Sequence, residues 1–208
     1  MGFGWYFVLL PALSAWIAML ETDSVLVGQW MLSRPILLGP FLGLVCGELG
    51  IGLALGVLTE LFCLESPPVG SALPLNGSVA AGCAVLLCAG PQTLPVAAAF
   101  PAGLAAGMGH RWLETRVRTW RAGLTTRALR SLEGEGAVDW AALLPTSLSA
   151  HLAMTGALVY LCVAAAGPGL GWVWDAAPGF FRRGLETGFR AALWIGLAAL
   201  MHTLFRKG

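Results

Sequence analysis

Charged side chains are scarce in this sequence. Its 208 residues include 12 Lys and Arg and 11 Asp and Glu, which together make 11% of the chain. An ordinary soluble domain has roughly a quarter charged residues, and needs them to cover its surface. Hydrophobic residues make up 57% of this chain. The shortage of charge therefore argues against a soluble enzyme and favours a protein that lies in a membrane.

The charges are missing from three long stretches. Asp, Glu, Lys and Arg are absent over residues 2–20, 66–110 and 140–174. A helix that crosses a bilayer needs about 20 mostly apolar residues. Each stretch can supply one such helix, and the two longer stretches have room for a re-entrant piece as well. The sequence therefore predicts an integral membrane protein.

Several functional signatures are also absent. The net charge is only +1, so we expect no binding to nucleic acid, which requires a concentrated basic face. The five cysteines lie in apolar runs without C-x-x-C spacing, as small buried hydrophobes do. Phosphate-loop, nucleophile-elbow and zinc-helix motifs are missing. We therefore expect no cofactor, no metal and no catalytic residue on this chain, so that any chemistry comes from a partner.

The apolar runs predict an all-α integral membrane domain over residues 1–208, with about five to seven membrane-embedded segments, some broken or re-entrant. The N-terminus lacks a basic region and is expected to be a retained first helix, not a signal peptide. Segment 110–139 holds six of the twelve basic residues and is expected to be a cytoplasmic loop. Expected helices cover residues 3–20, 36–47, 51–63, 78–109 with a break at 90–92, 140–166 and 191–205, with an interfacial helix at 180–190.

Glycine and proline mark two further features. Gly39, Gly43, Gly47, Gly52 and Gly56 recur at spacings of three to five, which favours close packing of helix backbones in lipid. The segment 65–78, ESPPVGSALPLNGS, consists of turn formers and cannot be one regular helix. Irregular backbone at membrane depth is tolerated only inside protein or beside a wet cavity. This segment is therefore either a surface loop or a substrate-binding loop between broken helices.

Ionisable residues inside apolar runs are candidate functional residues, because burying charge in a membrane is costly. Glu60 lies in an otherwise apolar run, so it either contacts a substrate or pairs with a basic group. Glu48 follows a glycine between two runs and is interpreted as having a capping or interfacial role, not a chemical one. His151 lies within the 140–166 run, where it either relays a proton or, as we favour, hydrogen-bonds to a neighbouring helix.

The run DSVLVGQWMLSRPILLGPFLGLVCGELGIGLALGVLTELFCL, residues 23–64, resembles the membrane subunit IIC of the mannose/sorbose-type bacterial phosphotransferase system. Members of that family have an Arg-Pro pair, a Gly-Asp turn, a Gly-rich run ending in Thr-Leu-Glu, and a loop ending in Pro-Asp-Ala. Here Arg34-Pro35, Gly47-Glu48 and Glu60 occupy the corresponding places without a gap, and Asn76 stands at the loop aspartate.

This resemblance implies a permease that works with a IID-like membrane subunit. Soluble IIA and IIB subunits carry phosphate on histidines, and the sugar is phosphorylated as it enters the cell. The resemblance also implies a multi-pass protein of the bacterial cytoplasmic (inner) membrane, assembled as an oligomer, that transports a hexose or amino sugar. It implies that a sugar site is lined by Gln29, Glu60 and Asn76, with Ser66 and Gly70 of the intervening loop.

The sequence departs from the family pattern at several places. Met31 and Ser33 replace the usual Gln and His before Arg-Pro, residues 65–68 replace a Gly-Trp-x-Asn stretch, and the C-terminus is expected to be shortened. Two alternatives therefore stay open. One is a degenerate IIC-like regulatory or scaffold subunit without transport. The other is an unrelated small-solute transporter with broken helices.

Overall fold

The described part of the chain is almost wholly helical. A computed structural model describes residues 2–25, 30–63, 75–133, 138 and 140–206, and within these it contains helices and turns but no strand. The helices are α1 Gly2–Gly4, α2 Leu10–Val25, α3 Pro35–Cys46, α4 Leu49–Cys63, α5 Gly77–Ala89, α6 Val96–Glu133, α7 Trp140–Leu161, α8 Gly167–Ala176 and α9 Gly179–Arg206. Short π-helical segments, Trp5–Leu9 and Cys162–Ala166, join α1 to α2 and α7 to α8.

Three helical stretches among the described residues are long and apolar enough to cross a membrane. They are Trp5–Asp23, Trp140–Ala176 and Gly179–Phe205. The apolar helices α3, α4 and α5 are shorter, with 12, 15 and 13 residues. At about 1.5 Å per residue they reach roughly 18 to 23 Å, less than the hydrocarbon core of about 30 Å. The predicted all-α membrane fold with broken helices is confirmed.

Glycines bring α3 and α4 into direct backbone contact. A Cβ atom built on Gly39 would lie 2.5 Å from the carbonyl oxygen of Gly52 and 2.6 Å from Cα of Gly56. A Cβ on Gly43 would lie 2.9 Å from Cα of Gly52. Gly47 ends α3 with a φ of +81°, a conformation that glycine adopts without strain. The predicted close packing of helix backbones is therefore confirmed, and it forms a tight α3–α4 hairpin.

Helix α5 lies at the centre of the molecule. All residues over 78–88 are buried, and the helix packs against α2, α3, α4, α6 and α7. A helix enclosed on every side must be apolar around its whole circumference, and the α5 sequence, GSVAAGCAVLLCA, meets that requirement. The chain then turns between Ala89 and Val96, where the sequence predicted a break, and α6 returns along α5.

Two sequence expectations differ from the structure. The Arg-rich segment expected as a loop over 110–139 is helical as far as Glu133, within the 38-residue helix α6. Residues 110–133 contain one glycine and no proline, so nothing there stops the helix. The expected interfacial helix at 180–190 is likewise continuous with the last apolar run in α9. Both errors arose because a change from apolar to charged composition was interpreted as a helix end.

Candidate sugar site and buried polar network

The N-termini of two short helices, α3 and α5, lie against each other. The hydroxyl of Ser78 donates a hydrogen bond of 2.6 Å to the carbonyl oxygen of Ser33. A Cβ on Gly77 would lie 2.7 Å from Cγ of Pro35 and 3.0 Å from Sγ of Cys63, at the end of α4. Helix N-termini present unpaired N–H groups and a partial positive charge. Transporters with broken helices commonly bind their substrates beside such ends.

Glu60 lies at this junction, near the end of α4. Its Oε1 is 3.2 Å from Nη1 of Arg34, and its Oε2 accepts a hydrogen bond of 3.4 Å from the backbone N–H of Ile36. The carboxylate therefore stabilises the first turn of α3 and has a basic partner. The sequence left substrate contact and structural pairing as alternatives. The pairing is present, and a role for Glu60 toward sugar stays a prediction.

Asn76 lies at the same junction and caps α5. Its side-chain oxygen accepts from the backbone N–H of Val79 at 3.0 Å. Its amide nitrogen donates to Oε1 of Glu21 at 3.0 Å and lies 3.1 Å from Nδ1 of His110. Of the five predicted sugar-site residues, Glu60 and Asn76 thus lie near adjoining helix ends, each with its own hydrogen-bond partners. The others, Gln29, Ser66 and Gly70, lie outside the described residues, and their roles stay predictions.

A buried polar network extends from Asn76 into the helix bundle. Its side chains come from α2, α6 and α7, and each of these residues is 4% exposed or less: Glu21, His110, Glu114, His151 and Thr155. Nε2 of His110 lies 2.9 Å from the hydroxyl of Thr155. Since Nδ1 of His110 faces an amide donor, Nε2 carries the proton and donates to that hydroxyl.

His151 lies at the centre of this network. Its Nε2 contacts Oε2 of Glu21, and its Nδ1 is 3.2 Å from Oε2 of Glu114. Nη2 of Arg121 lies 2.9 Å from the same Nδ1. Nε of Arg118 donates to Oε1 of Glu114 at 3.0 Å. Two carboxylates and the guanidinium of Arg121 therefore contact one buried imidazole, and the half-exposed Arg118 pairs with Glu114 behind it.

Sequence reasoning found only part of this network. His151 does hydrogen-bond to neighbouring helices, as the favoured interpretation predicted. Glu21 was missed, because its partner lies 130 residues away in the chain. One signal was present: His110, Glu114 and Arg118 recur at intervals of four, which places them on one face of a helix. Within the described residues, no group of three or more His, Cys, Asp or Glu is arranged to hold a metal ion.

The sequence matches a known membrane-transport family over nearly its whole length. Residues 5–208 match the family described as PTS system sorbose-specific IIC component. The chain belongs to this family. It is therefore a multi-pass membrane component of the phosphotransferase system, of the mannose-family IIC type. The alternative of an unrelated small-solute transporter is wrong.

Solved structures share the fold of this IIC component at low sequence identity. One, described as a membrane protein, has a TM-score of 0.76 and 16% identity, over 95% of this chain and 80% of the other. A second belongs to the cryo-electron microscopy structure of the mannose transporter ManYZ in complex with microcin E492. It has a TM-score of 0.67 and 18% identity, over 98% of this chain and 81% of the other. No curated protein sequence matches the chain.

Proposed function

We propose that this IIC component forms, with a IID-like membrane subunit, the pathway through which a hexose or amino sugar of the mannose class enters the cell. The sugar is phosphorylated by IIB as it is released, and phosphate reaches IIB from IIA. The family match over residues 5–208 carries this proposal. The chain works in the bacterial inner membrane as part of an oligomeric complex.

The junction of α3, α4 and α5 is the proposed sugar site. It combines two helix N-termini with a carboxylate, Glu60, and a carboxamide, Asn76, which are groups that hydrogen-bond to sugar hydroxyls. Both side chains flank the segment 64–74, in which Ser66 and Gly70 are further candidate contacts, and Gln29 precedes α3. A neutral sugar carries no charge to pair with, so directional hydrogen bonds from such groups to its hydroxyls bind it.

The test is phosphoenolpyruvate-dependent phosphorylation of a panel of labelled hexoses and amino sugars. Membranes would hold this chain with its IID-like partner, and soluble phosphotransferase components would be added. We expect phosphorylation of one sugar class, and its loss in Glu60→Gln. Glu48→Gln is the matched control, because Glu48 is an exposed carboxylate at the opposite end of the α3–α4 hairpin.

The outcomes separate the two functions that the sequence left open. Sugar-specific activity that is lost in Glu60→Gln and kept in Glu48→Gln supports transport through the proposed site. Activity that survives Glu60→Gln removes Glu60 from that site. Absence of activity on every sugar, from folded protein with its partners present, favours the regulatory or scaffold subunit.

A further inference from the structure

Nδ1 of His151 faces a hydrogen-bond donor and a hydrogen-bond acceptor at the same time. Nη2 of Arg121 lies 2.9 Å from this nitrogen, and Oε2 of Glu114 lies 3.2 Å from it. A guanidinium group can only donate, and an ionised carboxylate can only accept. Without a proton, Nδ1 accepts from Arg121. With a proton, it donates to Glu114, so the two hydrogen bonds exclude each other.

The other ring nitrogen has one role in both states. Nε2 of His151 contacts a carboxylate oxygen of Glu21 and must carry a proton to donate to it. The neutral ring, protonated at Nε2, therefore donates to Glu21 and accepts from Arg121. The imidazolium donates to both Glu21 and Glu114. The two states differ by one proton at Nδ1, taken up from water without any transfer of electrons.

We propose that Nδ1 of His151 is a proton-binding site, and that His151 acts through Glu21 as a positioning residue for Asn76. The connection is a chain of two contacts. One oxygen of Glu21 contacts His151, and the other accepts the hydrogen bond of 3.0 Å from the amide of Asn76. The effect on sugar described below rests on the proposed function, whereas the proton site itself does not.

Charged and titratable groups face His151 from two neighbouring helices of the described chain. Helix α2 contributes Glu21, and α6 contributes His110, Glu114, Arg118 and Arg121. With neutral His151, two carboxylates balance two guanidinium groups, and protonation leaves one surplus positive charge next to both carboxylates. The Arg118 side chain is half exposed and screened by water, so the two carboxylates compensate Arg121 and the imidazolium, as buried charges require.

Arg121, which lies beside this nitrogen, also lines a cleft between α6 and α7. The cleft has a volume of about 280 Å³, and Arg121 lines it together with Thr125, Trp140 and Ser147. Arg121 thus lies between the cleft and Nδ1 of His151. Most of the other lining side chains are leucines, and Thr125 and Ser147 supply the hydroxyl groups to which water can hydrogen-bond. When Nδ1 gains a proton, the guanidinium loses that acceptor and turns to water or to Oε1 of Glu114, 3.9 Å from its Nη1.

Protonation of His151 changes how strongly Glu21 holds Asn76. A carboxylate that pairs with a full positive charge is a weaker acceptor for its other donors, because part of its charge is compensated. The hydrogen bond from the Asn76 amide then weakens, and a sugar hydroxyl displaces Glu21 more easily. We therefore expect tighter sugar binding below the titration midpoint of His151 than above it.

The direct test is ¹⁵N NMR of the full chain labelled at histidine, titrated between about pH 5 and about pH 11, a range widened because two carboxylates contact His151. The three histidines are assigned with His→Gln variants. We expect His151 to pass from the Nε2-protonated neutral form to the imidazolium. In Glu114→Gln the ratio of imidazolium to neutral ring should fall roughly tenfold at each pH, because the cation loses a nearby opposite charge. One unchanging His151 form across the range in both proteins overturns the proposal.

The second readout is the pH profile of KM for the sugar that the panel identifies. In the wild-type protein KM should be roughly twofold to tenfold lower at the acidic end, the range that one hydrogen bond gives. His151→Gln should flatten the profile. His202→Gln, at an exposed site on α9, is the matched control and should keep it. An unchanged profile in His151→Gln overturns the link to Asn76.

If no sugar is phosphorylated, KM is replaced by the NMR shift of a ¹⁵N-labelled Asn76 amide. We expect that shift to change with pH in parallel with the titration of His151, and a shift that does not change overturns the link to Asn76. Because this readout needs no sugar, it distinguishes failure of the inference from failure of the proposed function.

Discussion

Glu60 has a basic partner that is itself well exposed. The side chain of Arg34 is 51% exposed and that of Glu60 13%, with 3.2 Å between Nη1 and Oε1. Water screens such a pair, and exposed ion pairs contribute only about 0–1 kcal/mol to stability. The pair alone is therefore a weak reason to place a carboxylate in an apolar helix. The hydrogen bond to the first turn of α3 and the proposed contact with sugar are further reasons.

Replacing Arg34 removes the ion pair but keeps the Glu60 carboxylate, and so distinguishes the contribution of the pair from that of the carboxylate. We expect Arg34→Gln to lower the free energy of unfolding by less than about 1 kcal/mol and to keep sugar phosphorylation. Glu60→Gln should lose phosphorylation. Thermal unfolding in detergent and the phosphorylation assay, run on both variants, check this. Equal loss of activity in the two variants would mean that the ion pair, not the carboxylate, is required.

Thr155 offers a second residue-scale test, on the stability of the buried network. Thr155→Val keeps the shape of the side chain but removes the acceptor of the His110 hydrogen bond. An unsatisfied buried donor costs about 1–3 kcal/mol, so unfolding should occur at a lower temperature. Thr119→Val, at an exposed position on α6, should change stability by less than about 0.5 kcal/mol. Equal midpoints for the two variants would show that this hydrogen bond does not stabilise the fold.

At the scale of elements, the α3–α4 hairpin depends on the absence of side chains along one seam. A Cβ on Gly52 would lie 2.8 Å from Cα of Gly43, against backbone that cannot move aside without separating the helices. Gly50, two residues earlier in α4, has nothing within 4 Å of the same position. Packing in lipid relies on this close approach, because apolar side chains gain little by leaving lipid tails.

These two glycines make a matched pair of substitutions. We expect Gly52→Ala to destabilise the protein by about 1–3 kcal/mol, as overpacking does. Gly50→Ala should be neutral or stabilising by up to about 1 kcal/mol, since alanine favours helix. Thermal unfolding of the purified protein in detergent checks both. Equal destabilisation by both variants would show that close backbone contact at Gly52 does not explain the effect of Gly52→Ala.

At the scale of the whole molecule, the spans and the basic residues predict an orientation. The Arg-rich part of α6 precedes the span Trp140–Ala176, and α9 returns through Gly179–Phe205 after a turn at Ala177 and Pro178. The bias of Arg and Lys toward the cytoplasm places the end of α6 inside the cell and this turn outside. Of the arginines there, Arg118 and Arg121 interact with Glu114 and His151, so the other arginines are the better sites for testing the proposed contact with IIB.

Cysteine labelling tests this orientation. We expect Arg130→Cys to react with a membrane-impermeant thiol reagent only in inside-out vesicles, and Pro178→Cys only in intact cells, because each exposed position lies on one side. Labelling of the wild-type protein gives the background reactivity of the five native cysteines. The reverse pattern would place the Arg-rich end of α6 outside and would exclude its contact with IIB.

The membrane fold, the family and the glycine seam follow from the sequence without any structure. Charge-free stretches, the pattern around Arg34-Pro35 and Glu60, and glycines at helical spacing are local signals, and each has a direct physical consequence. Helix continuity through the Arg-rich part of α6 was not predicted, because a fall in hydropathy marks a membrane boundary and not the end of a helix.

The buried network, in contrast, is visible only once the helices are packed together. Glu21, His110, Glu114 and His151 come from three helices, and no sequence spacing relates α2 to α7 across 130 residues. The packing of α2, α6 and α7 fixes which carboxylate faces which ring nitrogen. The hydrogen-bonding state of a buried histidine depends on those partners, and so sequence reasoning singled out His151 alone and could not give its partners.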